Sequence, residues 1–469
     1  MPILFLLIPV IGIFLLNLPK RTVGAKLAPW TVGITCLLLA TFAATSQLAC
    51  WQPFNDLFVL PLPIELSIDP ISAVVLFTIA LVAAIANAVG IQGDARNKTL
   101  TSSLLLVCMA GLSGVVMVRD LFSLYVFLEV TSVSTFILIA SRKNLAALSA
   151  SFRYYILSGL ASFALLLANA LVFLDIGSLS FSEVGAALNA GSGTVQLALI
   201  LYVIAFCVKA GIAPFHGWLP DAYSSAPNAI SVLLAGITTK VAGVYVVIRL
   251  MSDVFAGLVG PSEAFMALGA FSIVVGALGA MGQTEMKRML AFSSISQMGY
   301  IILAAGVATP LAIIGALIHF FNHALFKSLL FVNSTSVEEQ TGTTRFAELG
   351  GLAERLKITG WTSVIGFLST AGTPPFSGFW SKLLIIIALV VAGHWFYAVL
   401  AIVMTIVTLA YFLLMQRKVF FGQLREGFED LHEARRPLLG ASIVLAVLTT
   451  GLGVAFPFVL IALHDFGLL

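Results

Sequence analysis

The sequence has 469 residues, of which 60% are hydrophobic and only 10% are charged, and its formal net charge is +3. Soluble domains typically contain about 25% charged residues. This chain has too little polar surface to cover a water-soluble protein of its size, which argues against a soluble enzyme, a nucleic-acid binder or a disordered chain. The composition indicates a polytopic membrane protein.

The apolar runs reach the length of membrane helices, as in LTSSLLLVCMAGLSGVVMV (100–118). About 20 apolar residues cross a bilayer as a helix, because every backbone amide must be bonded internally in lipid. A β-barrel would instead show short segments of alternating polarity. We therefore predict an all-α fold of about fourteen spans. They lie near 3–17, 28–50, 70–90, 101–118, 121–140, 154–174, 195–215, 225–249, 264–281, 289–306, 309–333, 358–390, 395–416 and 438–462.

The basic residues predict the orientation of these spans. If the N-terminus is outside and the spans alternate, 18 of the 24 lysines and arginines fall in inner loops. Arg119 and Arg249 fall at outer ends. This asymmetry satisfies the positive-inside rule and places both termini on the outer face.

Five charged residues fall within predicted spans. They are Glu129, Lys209, Lys240, Lys327 and Lys382. Each charge at the bilayer centre costs about 2.5–3.5 kcal/mol on insertion scales. A single lysine of this kind can extend its amine to the membrane surface, but four together favour charges that face one another or internal water. This set of residues indicates transport.

Glu129 in the fifth span and Lys209 in the seventh are expected to form an ion pair. When water or a proton enters and the pair separates, desolvation favours the neutral amine, so Lys209 is a candidate proton carrier. Lys240, in AGITTKVAGVY (235–245), lies among small and hydroxyl residues that are suited to holding water. It is the candidate acceptor of the proton from Lys209.

The segment LIHFFNHALFKSLLF (317–331) places His319, His323 and Lys327 on one helical face. A His-x3-His pair is also a zinc-binding spacing, but no third ligand is evident nearby. A structural hydrogen-bonding role stays open, and we favour a proton relay. Lys382 is then the terminal donor to one membrane face.

Two similar segments interrupt long apolar helices with glycine and proline. They are KAGIAPFHGWLP (209–220) and TAGTPPFSGFWS (370–381). Proline removes a helical hydrogen bond and clashes with the preceding turn, so each helix is expected to break there. The candidate break residues are Gly211, Pro214, Pro374 and Pro375. Paired broken helices in two halves of a chain are typical of transporters.

His216 and Asp221 are predicted at the inner end of the first broken helix. There they either cap the helix or gate access from the cytoplasm. We predict no cofactor and no metal site, because no flavin, nucleotide or iron–sulfur module fits between the spans.

Several motifs together resemble a known superfamily. They are LFSLYVFLEV (121–130), KAGIAPFHGWLPDAYSSAP (209–227), TTKVAGVY (238–245), QTEMKRMLAFSSISQMGYI (283–301), HFFNHALFKSLLF (319–331) and GTPPFSGFWSK (372–382). The chain resembles the antiporter-like proton-channel subunits of respiratory complex I, the Mrp cation/proton antiporters and the membrane-bound hydrogenases. It is most similar to the D-type subunits of Mrp antiporters or to hydrogenase-type members.

The resemblance implies two inverted five-helix repeats, each with a broken helix. The implied segments are three N-terminal helices (1–100), a first repeat (101–250), a second repeat (262–417) and a C-terminal loop and helix (418–469). It also implies that the five intramembrane charges form a central hydrophilic axis, with His319 and His323 as bridging positions.

The function predicted is translocation of protons, with or without exchange for sodium, by one subunit of a larger complex in a prokaryotic inner membrane. The driver is either a redox module in partner chains, of the NADH/quinone, ferredoxin or hydrogenase type, or an existing ion gradient. Two alternatives stay open: a self-contained solute permease and a structural scaffold that has lost transport.

Overall fold

The computed structural model of the protein describes residues 2–18, 21–46, 64–90, 95–188 and 192–465. Within these ranges the chain is helical apart from its connections and three isolated β-bridges. Twelve helical stretches there are long and apolar enough to cross a membrane, and Leu4–Asn17 and Ser377–Val391 are shorter apolar helices. The predicted all-α, polytopic membrane fold is confirmed.

We number the helices in chain order. They are α1 (Leu4–Asn17), α2 (Arg21–Thr45), α3 (Pro70–Val89), α4 (Ala95–Met117), α5 (Leu121–Ala140), α6 (Leu145–Ile176), α7 (Phe181–Ala187), α8 (Gly193–Ala210), α9 (Leu219–Ser225), α10 (Asn228–Leu233), α11 (Val246–Asp253), α12 (Val259–Met281), α13 (Met286–Val307), α14 (Pro310–Thr341), α15 (Lys357–Ala371), α16 (Ser377–Val391), α17 (Trp395–Val419) and α18 (Arg436–Asp465). Each predicted span contains a helix, although residues 47–50 of the second lie outside the described ranges.

Polar caps, and not the ends of apolar runs, set where several helices begin. Asp69, Asp120 and Asn144 each accept a hydrogen bond from the backbone N–H three residues later, at 2.6–2.8 Å. Such caps satisfy backbone donors that a helix leaves unpaired. The Asn144 cap starts α6 at Leu145, well before the predicted residue 154.

The described chain divides into two compact units. Unit 1 comprises Met1–Ala210 and Ser225–Pro261, and unit 2 comprises Gly211–Ser224 and Ser262–Leu469. In unit 1, α4 packs on α5 and α6 packs on α8. In unit 2, α14 packs on α13, α15, α16 and α18. Most of the buried polar side chains in each unit lie on these packed helices.

The two units share a local pattern. α6 and α14 are both 32 residues long. Just before α5, Asp120 forms an isolated bridge with Ser180, and just before α13, Glu285 forms one with Arg345. The same sequence of bridge, helix and long helix therefore occurs once in each unit.

The first predicted break follows α8. Gly211 has a φ of 63°, a left-handed conformation that favours glycine, and the peptide bond between Ala213 and Pro214 is cis. A 3₁₀ turn, Phe215–Trp218, then leads into α9. The long apolar segment is thus interrupted at the predicted glycine and proline.

The second break separates α15 from α16 and has the same components. Gly372 has a φ of 77°, and the bond between Pro374 and Pro375 is cis. A Cβ atom on Gly372 would lie 2.9 Å from the Cδ of Lys382, so the absence of a side chain also leaves space for that lysine. Both predicted breaks are confirmed.

A wider helical winding lies between α10 and α11. Leu234–Thr238 and Lys240–Tyr245 are π-helical, and the hydroxyls of Thr238 and Thr239 donate to carbonyls five residues earlier. Short π-helical turns inside α-helices are frequent at functional sites. A Cβ on Gly243 would lie 2.3 Å from the Cα of Ala210, so this winding packs directly on the end of α8.

Candidate functional site

In unit 1, Lys209 is surrounded by polar groups from α5 and α6. Its Nζ lies 3.0 Å from the Oγ of Ser132, 3.2 Å from that of Ser158 and 2.9 Å from that of Ser162. Its distance to Oε1 of Glu129 is 3.4 Å. Lys209 is 6% exposed. The predicted ion pair is present, and it is supplemented by three hydroxyl groups.

Glu129 differs from the prediction in its exposure. We expected a buried carboxylate, but its side chain is 34% exposed. It borders a cavity of about 490 Å³ on the surface of α4 and α5, which is otherwise lined mainly by apolar side chains such as Leu104, Val107 and Val126. The hydroxyl of Ser162 donates to Oε1 of Glu129. The carboxylate therefore joins the Lys209 site to a lateral groove, which the helical pattern of α5 alone did not indicate.

Sequence reasoning missed the three serines of this site. Ser158 and Ser162 are one helical turn apart on α6, and Ser132 follows Glu129 by three residues, so each pair shares a helical face. Serine in an apolar helix is commonly a small packing residue. These hydroxyls become partners of Lys209 only because α5 and α6 turn these faces toward α8.

Lys240 is fully buried in the π-helical winding of unit 1. Its Nζ donates to the carbonyl of Ala235 in the same helix. Among the described hydrogen bonds, none joins it to Lys209. The nearby hydroxyls of Thr238 and Thr239 are bonded to backbone carbonyls of their own helix. Lys240 is thus inside unit 1, on the helix that packs against the end of α8.

In unit 2, the predicted histidine pair lies on one face of α14. The rings of His319 and His323 are stacked, with centroids 6.2 Å apart and an interplanar angle of 11°. Both residues are buried. Nδ1 of His319 is 2.8 Å from Oγ of Ser381 on α16. Within the described ranges, no group of three or more His, Cys, Asp or Glu residues that could hold a metal ion is found.

Lys327 continues this face of α14 one turn further. Its Nζ donates to the carbonyl of Leu290 at 3.1 Å and to the hydroxyl of Ser293, both on α13. It also lies 5.7 Å from the ring centroid of Phe412. The ammonium group therefore has polar contacts to α13 and an aromatic face from α17.

Lys382 and His319 both lie close to Tyr300, which we did not single out. Nζ of Lys382 lies 4.7 Å from the centroid of the Tyr300 ring. The centroid of the His319 ring is 6.1 Å from that of Tyr300. The Tyr300 hydroxyl donates to the carbonyl of Ala401 at 2.8 Å. This tyrosine ends the polar stripe SSISQMGY (293–300) of α13 and joins two predicted relay positions.

The two remaining candidates lie in or next to α9. Asp221 pairs with Arg288 at 2.5 Å. The ring of half-buried His216 has its centroid 6.1 Å from that of Phe292. Within the described residues, Nδ1 of His216 has no hydrogen-bond partner. Asp221 thus ties the start of α9 to α13.

These features define a class: a polytopic membrane protein with two helix breaks, each with a buried lysine close to it in the sequence. Residues 118–408 match the family described as "NADH:quinone oxidoreductase/Mrp antiporter, TM". The chain belongs to this family. The family predicted from the sequence is confirmed.

Two relatives and one solved structure illustrate the match. The NADH-quinone oxidoreductase subunit N of Desulforudis audaxviator is 31% identical over 97% of this chain and 94% of its own length. The D-type subunit of the Na(+)/H(+) antiporter of Alkalihalophilus pseudofirmus is 30% identical over 74% of this chain and 71% of its own. A chain of the Mrp complex from Dietzia sp. DQ12-45-1b has the same fold, with a TM-score of 0.88, 24% identity and coverage of 98% and 95%.

Proposed function

We propose that this protein is the ion-translocating subunit of a larger membrane complex and moves protons, with or without exchange for sodium. The observation that carries the proposal is the Lys209 site. An ammonium group within a membrane-spanning helix is held by three serine hydroxyls and one carboxylate. An intramembrane charge with a named partner is characteristic of ion and proton pathways.

In unit 1, Glu129 controls the protonation of Lys209. While the carboxylate lies beside Nζ, its negative charge stabilises the ammonium form. When Glu129 is protonated or moves into the lateral groove, desolvation favours the neutral amine and the proton leaves. Ser132, Ser158 and Ser162 keep hydrogen bonds to the nitrogen in both forms, because a hydroxyl both donates and accepts. Lys240 is the proposed next carrier within this unit.

In unit 2, the proposed carriers are arranged along α14 and across to α16. Lys327, His323 and His319 occupy one face of α14, and Ser381 and Tyr300 join His319 to Lys382. Histidine passes protons readily because its two nitrogens exchange donor and acceptor roles. Lys382 is proposed as the last carrier before a membrane face.

We further propose that residues 101–250 and 262–417 are two repeats. The recurring bridge, the equal lengths of α6 and α14 and the two similar breaks support this. Because each repeat has five spans, an odd number, equivalent helices run in opposite directions. We place the chain in a prokaryotic inner membrane with both termini outside, supported by the distribution of basic residues. The break residues and His216 and Asp221 are the proposed gating elements.

Partner subunits supply the driving force in this proposal. The relatives are named as subunits of an NADH-quinone oxidoreductase and of a Na(+)/H(+) antiporter. A redox module in partner chains or an existing sodium or proton gradient is therefore the proposed driver.

The experiment is proton transport in membrane vesicles that contain the assembled complex, followed with a pH-sensitive dye. We expect Lys209→Met and Glu129→Gln to abolish transport while the chain still copurifies with its partner subunits. Lys26→Met is the matched control, because Lys26 is an exposed lysine that is not one of the candidate residues. Wild-type transport rates in Lys209→Met would refute the proposal. Solute uptake by the purified chain alone would favour a permease instead.

A further inference from the structure

A cavity of about 330 Å³ lies at one end of unit 1, away from the candidate relay residues. The helix termini around it are the C-terminal ends of α3 and α5 and the N-terminal ends of α4 and α10. Its volume is within the range of small-molecule sites. Because the ends of membrane helices lie in the headgroup region, the cavity is at the level of the lipid headgroups.

The rim of this cavity is basic. Arg142 and Lys143 line it, and both are exposed. Nζ of Lys143 donates to Oδ1 of Asn97 at 2.8 Å, and the Arg142 guanidinium lies 3.4 Å from the carbonyl oxygen of Ala226. Lys143 has a φ of 58°, a conformation that L residues rarely adopt, so a lysine stands where glycine would fit more easily. Among the described residues that line the cavity, none is acidic.

The interior of the cavity combines hydroxyl and apolar groups. Thr101, Ala229 and Ile230 line it and are buried. Leu100, next to the lining residue Thr101 in the sequence, is 52% exposed, and Leu145, two residues after Lys143, is 84% exposed. A ligand that joins an anionic group to apolar chains matches this combination of surfaces better than a free anion does.

We propose that this cavity binds the phosphate of an anionic lipid headgroup, such as that of phosphatidylglycerol or cardiolipin. Arg142 and Lys143 supply the positive charge, Asn97 and Thr101 supply further polar contacts, and the acyl chains lie against the exposed leucines. Basic pockets between membrane helices on the cytoplasmic side are suited to such headgroups. The inference does not depend on the proposed transport activity.

The test measures lipid binding to the full chain, purified in detergent together with its partner subunits. Native mass spectrometry and the thermal unfolding midpoint are recorded as cardiolipin, phosphatidylglycerol, phosphatidylcholine or inorganic phosphate is added. We expect the anionic lipids to bind and to raise the midpoint. The double variant Arg142→Gln/Lys143→Gln should bind them about 30-fold more weakly, because each basic residue near the membrane surface contributes about fivefold.

The matched control is Arg96→Gln/Arg153→Gln, which removes two exposed basic residues outside the cavity lining. It should retain wild-type binding. An equal loss in both double variants would show nonspecific surface attraction and overturn the proposal. Inorganic phosphate that displaces the lipid at equal concentration, or phosphatidylcholine that binds as tightly, would also overturn it. Unchanged lipid binding in Arg142→Gln/Lys143→Gln would exclude the cavity as the site.

Discussion

Lys209 in unit 1 and Lys382 in unit 2 accompany similar helix breaks but have different neighbours. Lys209 precedes its break, and it contacts a carboxylate and three hydroxyls. Lys382 follows its break and lies over the ring of Tyr300, and within the described residues its Nζ has no hydrogen-bond partner. One unit therefore stabilises an ammonium with an opposite charge, whereas the other supplies only an aromatic face. Similar helix breaks thus accompany two different environments of a buried ammonium group.

The largest expected effect is the difference in stability between Lys209→Met and Lys382→Met. Removing Lys209 leaves Glu129 without its cation, and breaking a fully buried pair costs about 3–5 kcal/mol. Because Glu129 is about one third exposed, we expect about 3 kcal/mol or less. Lys382→Met also removes the cation–π contact with Tyr300, but it relieves the desolvation of a buried ammonium and leaves no carboxylate behind. Its free energy of unfolding should therefore change by less than about 1 kcal/mol. Unfolding titrations in mixed micelles measure both values, and equal losses would contradict the comparison.

The next prediction tests whether Glu129 and Lys209 act as a pair. In a double-mutant cycle of Glu129→Gln and Lys209→Met, the double variant should be less destabilised than the sum of the single variants. Residues in contact typically show couplings of about 0.5–3 kcal/mol. A parallel cycle of Glu129→Gln with Lys382→Met provides the control, and its coupling should be near zero. Equal coupling in both cycles would show that the effect is not specific to the ion pair.

A smaller effect is expected at Tyr300. Tyr300→Phe keeps the ring over Lys382 and removes the hydroxyl, whose bond to Ala401 contributes about 1 kcal/mol. Tyr300→Leu also removes the cation–π contact, which adds about 1–2 kcal/mol when the cation is desolvated. The additional loss should disappear in the Lys382→Met background, as measured by unfolding titration. Persistence of that loss would show that the ring acts only by packing.

The smallest effect concerns Asp69, at the start of α3 in unit 1. Burial raises the pKa of Asp69, but hydrogen bonds from Ser72 and the Arg249 guanidinium outweigh it and hold the pKa below its usual value. A depressed folded-state pKa means that the contribution to stability is present above the unfolded value, about pH 3.9, and is lost as the pH falls further. Asp69→Asn should lower the thermal unfolding midpoint at pH 7. It should also reduce the further fall of that midpoint as the pH drops below 4. An unchanged acid profile would contradict this role.

The sequence predicted the parts of the site that depend on chain-local rules. Gly211 and Pro214 interrupt a helix whatever its tertiary contacts are. His319 and His323 share a face because of helical periodicity. The Glu129–Lys209 pair followed from the scarcity of charge in lipid. Ser132, Ser162 and Tyr300 could not be predicted in the same way. Their roles depend on how one helix is rotated against another. A serine or tyrosine within an apolar run does not indicate that rotation, so the sequence alone does not predict which of them contact a lysine.

The lateral groove beside Glu129 has a consequence for the biogenesis of the protein. An ionisable group that faces hydrocarbon is costly, on the order of 2.5–3.5 kcal/mol at mid-bilayer. A freshly inserted chain with an uncovered groove carries that cost, whereas a neighbouring protein that seals the groove removes it. The carboxylate then distinguishes an orphan chain from an assembled one. A carboxylate at this groove thus links the insertion cost of the chain to the presence of a neighbour that covers the groove.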